Sequence, residues 1–348
     1  MIREAELYKE TLDKHLIIDD WQGVDIILAA VATHWVPGNM LWFRIIGASG
    51  SGKSELLRSL ECNKKEVISA DSFTPGAIRG GYMKDTPRML ELWKDKIVVT
   101  KDFASMITKK KEDRSEVFGL LRSAWDGTLS AFYGSDDAHV ELEFHFDWIL
   151  ASTPVIERQR SLEAELGSRF IDLKWKTPQN EEAAIISAMS GDSNSSEFRK
   201  LLGEQMSGFI ESVKTREPLS YKSSDWLARI AMIAAKLRTP IYRDASHNIY
   251  DIPTPEIGTR FGQGLQRIAK GLSMIGIEDY KPHIKRLALD CLSNLRRAII
   301  ETTLENPTSS SIEEVKRKTD VSYETVRIEL ENLKMLGWNK EAWEVLCE

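Results

Sequence analysis

The chain has 348 residues, of which 42% are hydrophobic and 29% are charged, and its formal net charge is -6. This length suits two or three domains, and the mixture of both charge signs is typical of a globular protein rather than a disordered one. The negative net charge gives no overall attraction to nucleic acid. Any contact with a phosphate backbone must therefore come from a local basic surface or from a pore loop.

The cysteines and the apolar segments exclude several classes of protein. Cys62, Cys291 and Cys347 are far apart and lack CxxC spacing, so neither a disulfide framework nor a zinc site is expected. No stretch approaches the ~20 apolar residues that cross a bilayer, and the opening segment MIREAELYKE lacks the apolar run of a signal peptide. The expectation is a soluble, cytoplasmic protein without membrane contact.

The first predicted elements are a helix, a strand and a second helix. Asp20–Trp35 has an apolar helical face, with Asp19 or Asp20 as its N-cap. Leu41–Ile46 (LWFRII) is apolar in the manner of a buried parallel strand, and Glu55–Leu60 resumes helical spacing. The segment between this strand and this second helix therefore lies in a strand–loop–helix unit.

That segment, GASGSGKS, matches the P-loop pattern. It consists of Gly47, Ala48, Ser49, Gly50, Ser51, Gly52, Lys53 and Ser54. Its glycines let several backbone N–H groups face phosphate oxygens at the positive end of the following helix. Lys53 is predicted to reach the β- and γ-phosphates, and Ser54 to bind Mg²⁺ through its hydroxyl. ATP and Mg²⁺ are the predicted ligands, and a chance glycine-rich turn is the alternative.

Two further strands are predicted to end in polar side chains. Lys96–Asp102 (KIVVTKD) ends in Asp102, which is predicted to orient Mg²⁺ or the attacking water. An ordinary strand-end acid is the alternative, since Lys101 stands where a first acid is often found.

Asp147–Thr153 (DWILAST) also ends in hydroxyl side chains. Thr153, or Ser152 before it, is predicted to sense the γ-phosphate or to position water. Ordinary turn residues at the end of a strand are the alternative interpretation.

A helix and a hairpin are predicted between these two strands. Arg114–Trp125 has helical apolar spacing, and Thr128–Tyr133 and Val140–Phe146 alternate in the manner of paired strands. The tip of this hairpin carries Asp136 and Asp137, whereas a tip that grips DNA is expected to carry Lys or Arg. This acidic tip disfavours direct translocation along a DNA strand.

After Pro178 the pattern becomes almost wholly helical. NEEAAIISAM begins this region, and the polar loop GDSNSSE interrupts it. Further helices are predicted near 196–214, 222–238, 256–275 and 281–304 from their apolar periodicity.

The last section predicts a helix-turn-helix. Ser311–Lys318 forms the first helix, and Ser322 caps a second helix over Tyr323–Leu336, which Gly337 ends. The residues suited to reading a DNA groove and contacting phosphates are Lys316, Arg317, Lys318, Ser322, Tyr323, Thr325 and Arg327. A protein docking unit is the alternative.

The order of these features resembles that of the AAA+ ATPases. Within that class it resembles the helicase-like group that contains the minichromosome maintenance proteins and their relatives on mobile elements. The resemblance rests on GASGSGKS, IVVTKDF, EVFGLLRSAWDGTLSAFY, DWILASTP, ELGSRF and TPEIGTRFGQGLQRIAKGL. It implies an α/β fold with an αβα core and a parallel sheet over 1–180, an α-helical lid over 181–305, and a C-terminal winged-helix module over 306–348.

The resemblance also implies a function and two arginine roles. Arg169 of GSRF matches the arginine finger that a ring neighbour inserts beside the γ-phosphate, and Arg260 of TPEIGTRF matches the second sensor arginine of the lid. The expected activity is ATP hydrolysis by a homo-oligomeric ring, coupled to DNA unwinding or remodelling in the replication of a mobile element. A nucleotide-switched DNA-binding adaptor with little turnover is the main alternative, and a small-molecule kinase is disfavoured by the helical lid and the terminal module.

Overall fold

The computed structural model describes residues 1–79, 89–133, 138–158, 169–190, 196–218, 225–305 and 312–348. The side chains of 129–142 are not described within these ranges. Contacts between residues divide the chain into two compact units. The first unit contains Met1–Ser220 and Arg267–Tyr280, and the second contains Tyr221–Gln266 and Lys281–Glu348.

The first unit combines a parallel sheet, a hairpin and helices. Its described helices are α1 (Arg3–His15), α2 (Trp21–Ala32), α3 (Lys53–Leu60), α4 (Pro75–Arg79), α5 (Met89–Trp93), α6 (Ala104–Ile107), α7 (Lys111–Trp125), α8 (Val155–Arg158), α9 (Glu181–Ser190) and α10 (Ser196–Lys214), with a 3-10 turn at Thr33–Trp35. Its described strands are β1 (Trp42–Ile46), β2 (Val67–Ser69), β3 (Lys96–Thr100), β4 (Thr128–Tyr133), β5 (Ala138–Glu143), β6 (Phe146–Ser152) and β7 (Phe170–Lys174).

Five of these strands form one parallel sheet in the order β2-β3-β6-β1-β7. Every residue of β1 and β6 is buried, which explains why the sequence of each strand is a continuous apolar run rather than an alternating one. The predicted α/β class with a parallel sheet is therefore confirmed. The predicted hairpin is also confirmed, because β4 and β5 pair antiparallel from Thr128 with Glu143 to Tyr133 with Ala138. Its acidic tip, Asp136 and Asp137, lies outside the described residues.

Large aromatic side chains fill one face of the sheet. Trp42 of β1 packs edge-to-face on Trp148 of β6, with ring centroids 5.3 Å apart, and lies 5.3 Å from Phe170 of β7. Phe146 and Trp93 extend the same cluster. Such rings bury large apolar areas in fixed geometry, so this cluster holds the strands that carry the candidate site in register.

Several element limits differ from the prediction. β3 ends at Thr100, two residues before Asp102, because Asp102 Oδ1 accepts a hydrogen bond from Ala104 N (2.9 Å) and the chain turns into α6. Phe146 begins β6 instead of ending the hairpin.

The first helix, α1, was not predicted. In α1, Tyr8 and Leu12 have helical spacing and are buried. The Tyr8 hydroxyl is hydrogen-bonded to Ser59 Oγ of α3 at 2.9 Å. The predicted N-cap of α2 is confirmed, since Asp20 accepts a hydrogen bond from Gly23 N.

The second unit is mainly helical. Its described elements are α11 (Asp225–Leu237), β8 (Tyr242–Arg243), β9 (Ile249–Asp251), the first half of α12 (Thr259–Met274), α13 (Lys281–Asp290), α14 (Asn294–Glu305), α15 (Ile312–Thr319), α16 (Tyr323–Met335) and α17 (Lys340–Cys347). The helix predicted near 281–304 is thus two helices, separated at Cys291–Ser293.

The predicted helix pair near the C-terminus is present as α15 and α16. Ser322 Oγ accepts a hydrogen bond from Thr325 N (3.2 Å), which is the predicted N-cap. Gly337 has φ +96°, and Trp338 N donates to Leu333 O (2.8 Å), which closes α16 in a left-handed C-terminal cap. The chain then forms α17, and after Asp251 the described ranges contain no strand that could form a wing.

The two compact units do not follow the predicted limits of 1–180, 181–305 and 306–348. Helix α10 belongs to the first unit, where Phe198, Leu202 and Met206 are buried and the helix packs on α1 and α3. In the second unit, α17 packs on α11, and Trp226 Nε1 donates to Val345 O (2.9 Å).

Candidate functional site

The P-loop residues follow β1 and lead directly into α3. Gly50 and Gly52 have φ values of +77° and +86°, a region that other residues rarely adopt. A Cβ built on either glycine meets no atom within 4 Å, so the space beside this backbone is open. Lys53 is the first residue of α3, where the N–H groups of a helix have no internal partners. This arrangement suits an anion at the helix N-terminus.

Gly47 is required for a different reason. A Cβ at Gly47 would lie 2.9 Å from Trp175 Cβ, closer than carbon atoms pack. Trp175 Nε1 in turn donates a hydrogen bond to Ser51 O (2.8 Å). Trp175 therefore lies against Gly47 and is bonded to Ser51, and the sequence interpretation missed it because a tryptophan after a strand has no distinctive spacing.

Lys53 is buried, with 6% of its surface exposed. Its Nζ donates to the carbonyl oxygens of Gly47 (2.8 Å) and Ala48 (2.5 Å) and to Ser51 Oγ (3.0 Å). An ammonium group has three donors, so a phosphate must replace some of these acceptors. Burial lowers the pKa of Lys53 to about 8, and the charge of Asp102 opposes part of that shift.

Asp102 lies at the same edge of the sheet as the P-loop. The strands β1, β3 and β6 run parallel, with Ile46 beside Ser152 and Thr100 beside Leu150, so their carboxyl ends meet at one edge. The charge of Asp102 acts on Lys53, and the Asp102 side chain is exposed. Its carboxylate is thus available to a cation or to water near Lys53.

The side chain of Lys101 is held by two acids. Its Nζ lies 2.7 Å from Glu61 Oε1 and 3.2 Å from Asp71 Oδ2, and its backbone N donates to Asp71 Oδ1 (2.9 Å). Burial by itself lowers the pKa of Lys101, but the bonds to Glu61 and Asp71 raise it above the ordinary value. The lysine that precedes Asp102 is therefore bound to these two carboxylates.

The two hydroxyl candidates after β6 differ in exposure. Ser152 is buried, its Oγ donates to Thr153 O (3.2 Å), and its carbonyl accepts from Gly47 N (3.1 Å). Thr153 follows the end of the strand and is half-buried. Of the two side chains, that of Thr153 is the more exposed.

Ser54, Ala48 and Ser49 are exposed around the loop. Hydroxyl and carboxylate oxygens are ligands that Mg²⁺ prefers, and it commonly takes only one or two protein groups together with phosphate oxygens and water. The residues present, Ser54 and Asp102, fit such an ion. The open space at Gly50 and Gly52 fits the phosphates.

Of the two predicted arginines, Arg169 lies away from this edge, and Arg260 belongs to the second unit. Arg169 precedes β7, and β7 pairs in parallel with β1 from Trp42 with Phe170 to Ile46 with Lys174. Arg169 thus lies at the amino-terminal edge of the sheet, about one strand length, ~16 Å, from the P-loop of its own chain. Its guanidinium lies 5.7 Å from the centre of the Trp125 ring. Arg260 is exposed on the first turn of α12, in the second unit.

Two charged residues beside the P-loop were missed by the sequence interpretation. Glu55 follows Ser54, and both oxygens of its carboxylate accept hydrogen bonds from Arg199 of α10. Because Glu55 and Arg199 are 144 positions apart in the sequence, no local pattern could have connected them.

Several basic residues of the helix-turn-helix are engaged in ion pairs. Lys318 Nζ lies 2.5 Å from Glu305, and Arg327 Nη2 lies 2.5 Å from Glu324. Lys316 and Arg317 are exposed on α15. Lys316 Nζ lies 3.9 Å from Glu313 Oε2.

The comparisons with known proteins assign no family. Neither a scan against protein-family models nor a search of curated proteins gives a match for this chain. In the described parts of the chain, no helix is long and apolar enough to cross a membrane. The geometry of the loop and its neighbours is therefore the basis for assigning a function.

Proposed function

We propose that the chain binds Mg²⁺ and ATP at Gly47–Ser54 and hydrolyses ATP as a homo-oligomeric ATPase of the AAA+ class. The observation that carries this proposal is the position of Lys53. Its buried ammonium group opens a helix directly after a parallel strand, and the exposed Asp102 carboxylate acts on it from the same edge of the sheet. A phosphate-binding loop, the ammonium group of Lys53 and the carboxylate of Asp102 together suit phosphoryl transfer to water.

In this proposal each residue has a definite task. Lys53 exchanges its bonds to Gly47 and Ala48 for bonds to phosphate oxygens. Ser54 and Asp102 would hold Mg²⁺, which would supply positive charge to balance that of the phosphates. Asp102 and Thr153 orient the water whose oxygen attacks the γ-phosphorus. The bond from that phosphorus to the β,γ-bridging oxygen then breaks, and ADP and phosphate are released.

The arginine roles and the use of the energy extend the same proposal. Arg169 is assigned to the active site of a neighbouring subunit, since about one strand length separates it from its own P-loop. Arg260 is assigned to sensing the γ-phosphate. The resemblance to helicase-like AAA+ proteins and the α15–α16 helix pair support DNA unwinding or remodelling, in the replication of a mobile element, as the coupled work.

The direct test measures ATP affinity and turnover in the full chain and in single variants. Lys53→Ala should lose both, because the phosphates lose their main side-chain partner. Asp102→Asn should keep affinity and lose turnover, because the amide keeps the shape but not the charge. Lys200→Ala, at a lysine that is 78% exposed on α10, is the matched control and should behave as wild type. Unchanged turnover in Lys53→Ala would overturn the proposal.

A nucleotide-switched DNA-binding adaptor is the second candidate, and the surroundings of Asp102 favour it. Asp102 Oδ1 already accepts from Ala104 N, and the preceding residue is Lys101 instead of an acid. A site with few groups for activating water would bind ATP and hydrolyse it slowly. Assembly that depends on ATP, together with negligible turnover in the presence and absence of DNA, would favour this candidate.

A further inference from the structure

An acidic side chain lies in the first turn of the helix that follows the P-loop. Glu55 is in the first turn of α3 and directly follows Ser54. A helix N-terminus attracts negative charge, so a carboxylate in this turn competes with phosphates for the same positive potential. Glu55 therefore opposes ATP binding unless its charge is balanced.

Two arginines balance this charge. Arg199 Nε donates to Glu55 Oε2 (2.9 Å), and Arg199 Nη2 donates to Glu55 Oε1 (2.9 Å), which is the paired geometry of a strong guanidinium–carboxylate contact. Arg58 Nη1 donates to the same Oε1 at 2.5 Å. Burial alone would raise the pKa of Glu55, but the bonds from Arg199 and Arg58 lower it, so Glu55 is ionised.

The two arginines differ in origin. Arg58 lies one turn after Glu55 on the same helix and is present whenever α3 is folded. Arg199 belongs to α10, and its position depends on the packing of α10 against α3. Movement of α10 away from α3 would therefore leave Glu55 with one of its two positive partners.

We propose that Arg199 is a positioning residue for nucleotide binding, because it neutralises Glu55 and so makes the affinity for ATP depend on the docking of α10 against the P-loop helix. This inference rests on the proposed function of the Gly47–Ser54 loop. If α10 moves away from α3, Glu55 loses Arg199 and the affinity for ATP falls. This effect requires no contact between α10 and the phosphates.

The test is a double-mutant cycle in the full chain, with Mg²⁺ and ATP as the probe. Arg199→Gln should weaken ATP binding roughly 3- to 10-fold at low salt, because the electrostatic energy of one charge pair near the surface is modest. The effect should be smaller at about 0.5 M salt, because salt screens this interaction. Glu55→Gln should bind ATP about threefold more tightly than wild type by the same estimate. The double variant Glu55→Gln/Arg199→Gln should regain at least wild-type affinity.

Matched variants separate charge from packing. Lys200→Gln removes a positive charge from the next residue of α10, where the side chain is 78% exposed, and should change affinity less than twofold. If Arg199→Gln does not fold, Glu55→Gln alone remains decisive, since equal or weaker ATP binding by that variant would overturn the inference.

Three results distinguish the possible failures. A double variant that binds ATP as weakly as Arg199→Gln would assign Arg199 a purely structural role and overturn the inference. Arg199→Gln with wild-type affinity would do the same while leaving the proposed function intact. A wild-type protein that binds no nucleotide would overturn the proposed function, and the inference with it.

Discussion

Lys53 combines burial with a function that requires charge. Its ammonium is 6% exposed and its pKa is lowered to about 8, while its three hydrogen bonds go to oxygens of the loop itself. Phosphates that replace those oxygens bring negative charge and favour the protonated form. Nucleotide binding should therefore be linked to protonation of this residue.

The expected pH dependence follows from that linkage. Below about pH 8 the free protein already carries the proton on Lys53, so affinity for Mg²⁺ and ATP should be constant. Above it, each binding event must take up a proton, so affinity should fall with rising pH, at most tenfold per pH unit. Calorimetry between pH 7 and 9.5, in buffers of different ionisation enthalpy, measures both the affinity and the proton uptake. Constant affinity over this range without proton uptake would contradict the prediction.

At this residue scale, local motifs were informative and distant contacts were not. Lys53 and its loop could be predicted because the spacing of Gly47, Gly50 and Gly52 reflects backbone conformations that a short segment determines by itself. Trp175 and Arg199 could not, since their roles come from packing between elements far apart in the chain.

At the scale of elements, a buried ion pair joins the second half of α12 to the sheet. Arg267 and Asp147 are 4% and 1% exposed, and both guanidinium Nη atoms lie 3.1 Å from a carboxylate oxygen. Asp147 Oδ1 also accepts from Leu41 N (2.5 Å), and Asp147 Oδ2 lies 2.9 Å from His34 Nδ1. Burial alone would raise the pKa of Asp147, but the charge of Arg267 and the bond to His34 lower it to about 2.

Removal of Arg267 should destabilise the first unit, because Asp147 would remain buried with one charged partner fewer. Arg267→Leu is expected to lower the free energy of unfolding of the first unit by about 3–5 kcal/mol. Arg216→Leu, at an exposed position after α10 in the same unit, is the control and should change it by less than ~0.5 kcal/mol. Urea unfolding monitored by tryptophan fluorescence measures both, and a loss below ~1 kcal/mol in Arg267→Leu would mean that the pair is replaceable.

Element types were easier to predict than element limits. The apolar runs of β1, β3 and β6 are long enough to identify buried strands, and Ser322 and Gly337 mark the ends of α16 by local chemistry. The strand β3 ended early because Asp102 turns the chain into α6, a local hydrogen bond that apolar periodicity does not encode. Apolar periodicity predicts that α10 has a buried face, but it does not say which other element that face packs against. The assignment of α10 to the first unit therefore could not be predicted.

At the scale of the whole molecule, the C-terminal helices are not a separable appendage of the second unit. Val345 and Leu333 are buried, and Arg296 of α14 forms an ion pair with Glu329 of α16. Truncation before Thr308 would expose this core, so it would not isolate an effect on DNA binding. Surface substitutions are the cleaner test.

Lys316→Ala/Arg317→Ala should weaken binding of duplex DNA and leave DNA-independent ATPase activity unchanged. If both residues contact phosphates, the slope of log affinity against log salt should decrease in magnitude by about 2, because each lost contact removes ~0.9. Lys340→Ala, at an 88% exposed lysine of the same unit, is the control. The same affinity and salt slope in the double variant and the wild type would instead favour a protein docking unit.

The last prediction concerns Arg169, which the parallel register of β1 and β7 places at the sheet edge opposite the P-loop of its own chain. If it stabilises charge on the γ-phosphate, it must do so in another subunit. Arg169→Ala should therefore bind ATP and assemble but not hydrolyse, because the partner of a charge that develops in the transition state is missing. Turnover of the wild type should rise faster than linearly with protein concentration.

Mixing two inactive variants tests this arrangement directly. In a mixed oligomer, some interfaces join an intact P-loop from Arg169→Ala to an intact Arg169 from Lys53→Ala, and these interfaces should recover turnover. Mixtures of Lys53→Ala with Asp102→Asn are the control, because Arg169 stays intact in both variants and no chain in the mixture contains both Lys53 and Asp102. Full activity of Arg169→Ala alone would remove the arginine-finger assignment. Co-assembly without recovery at any ratio would contradict independent sites shared between neighbouring subunits.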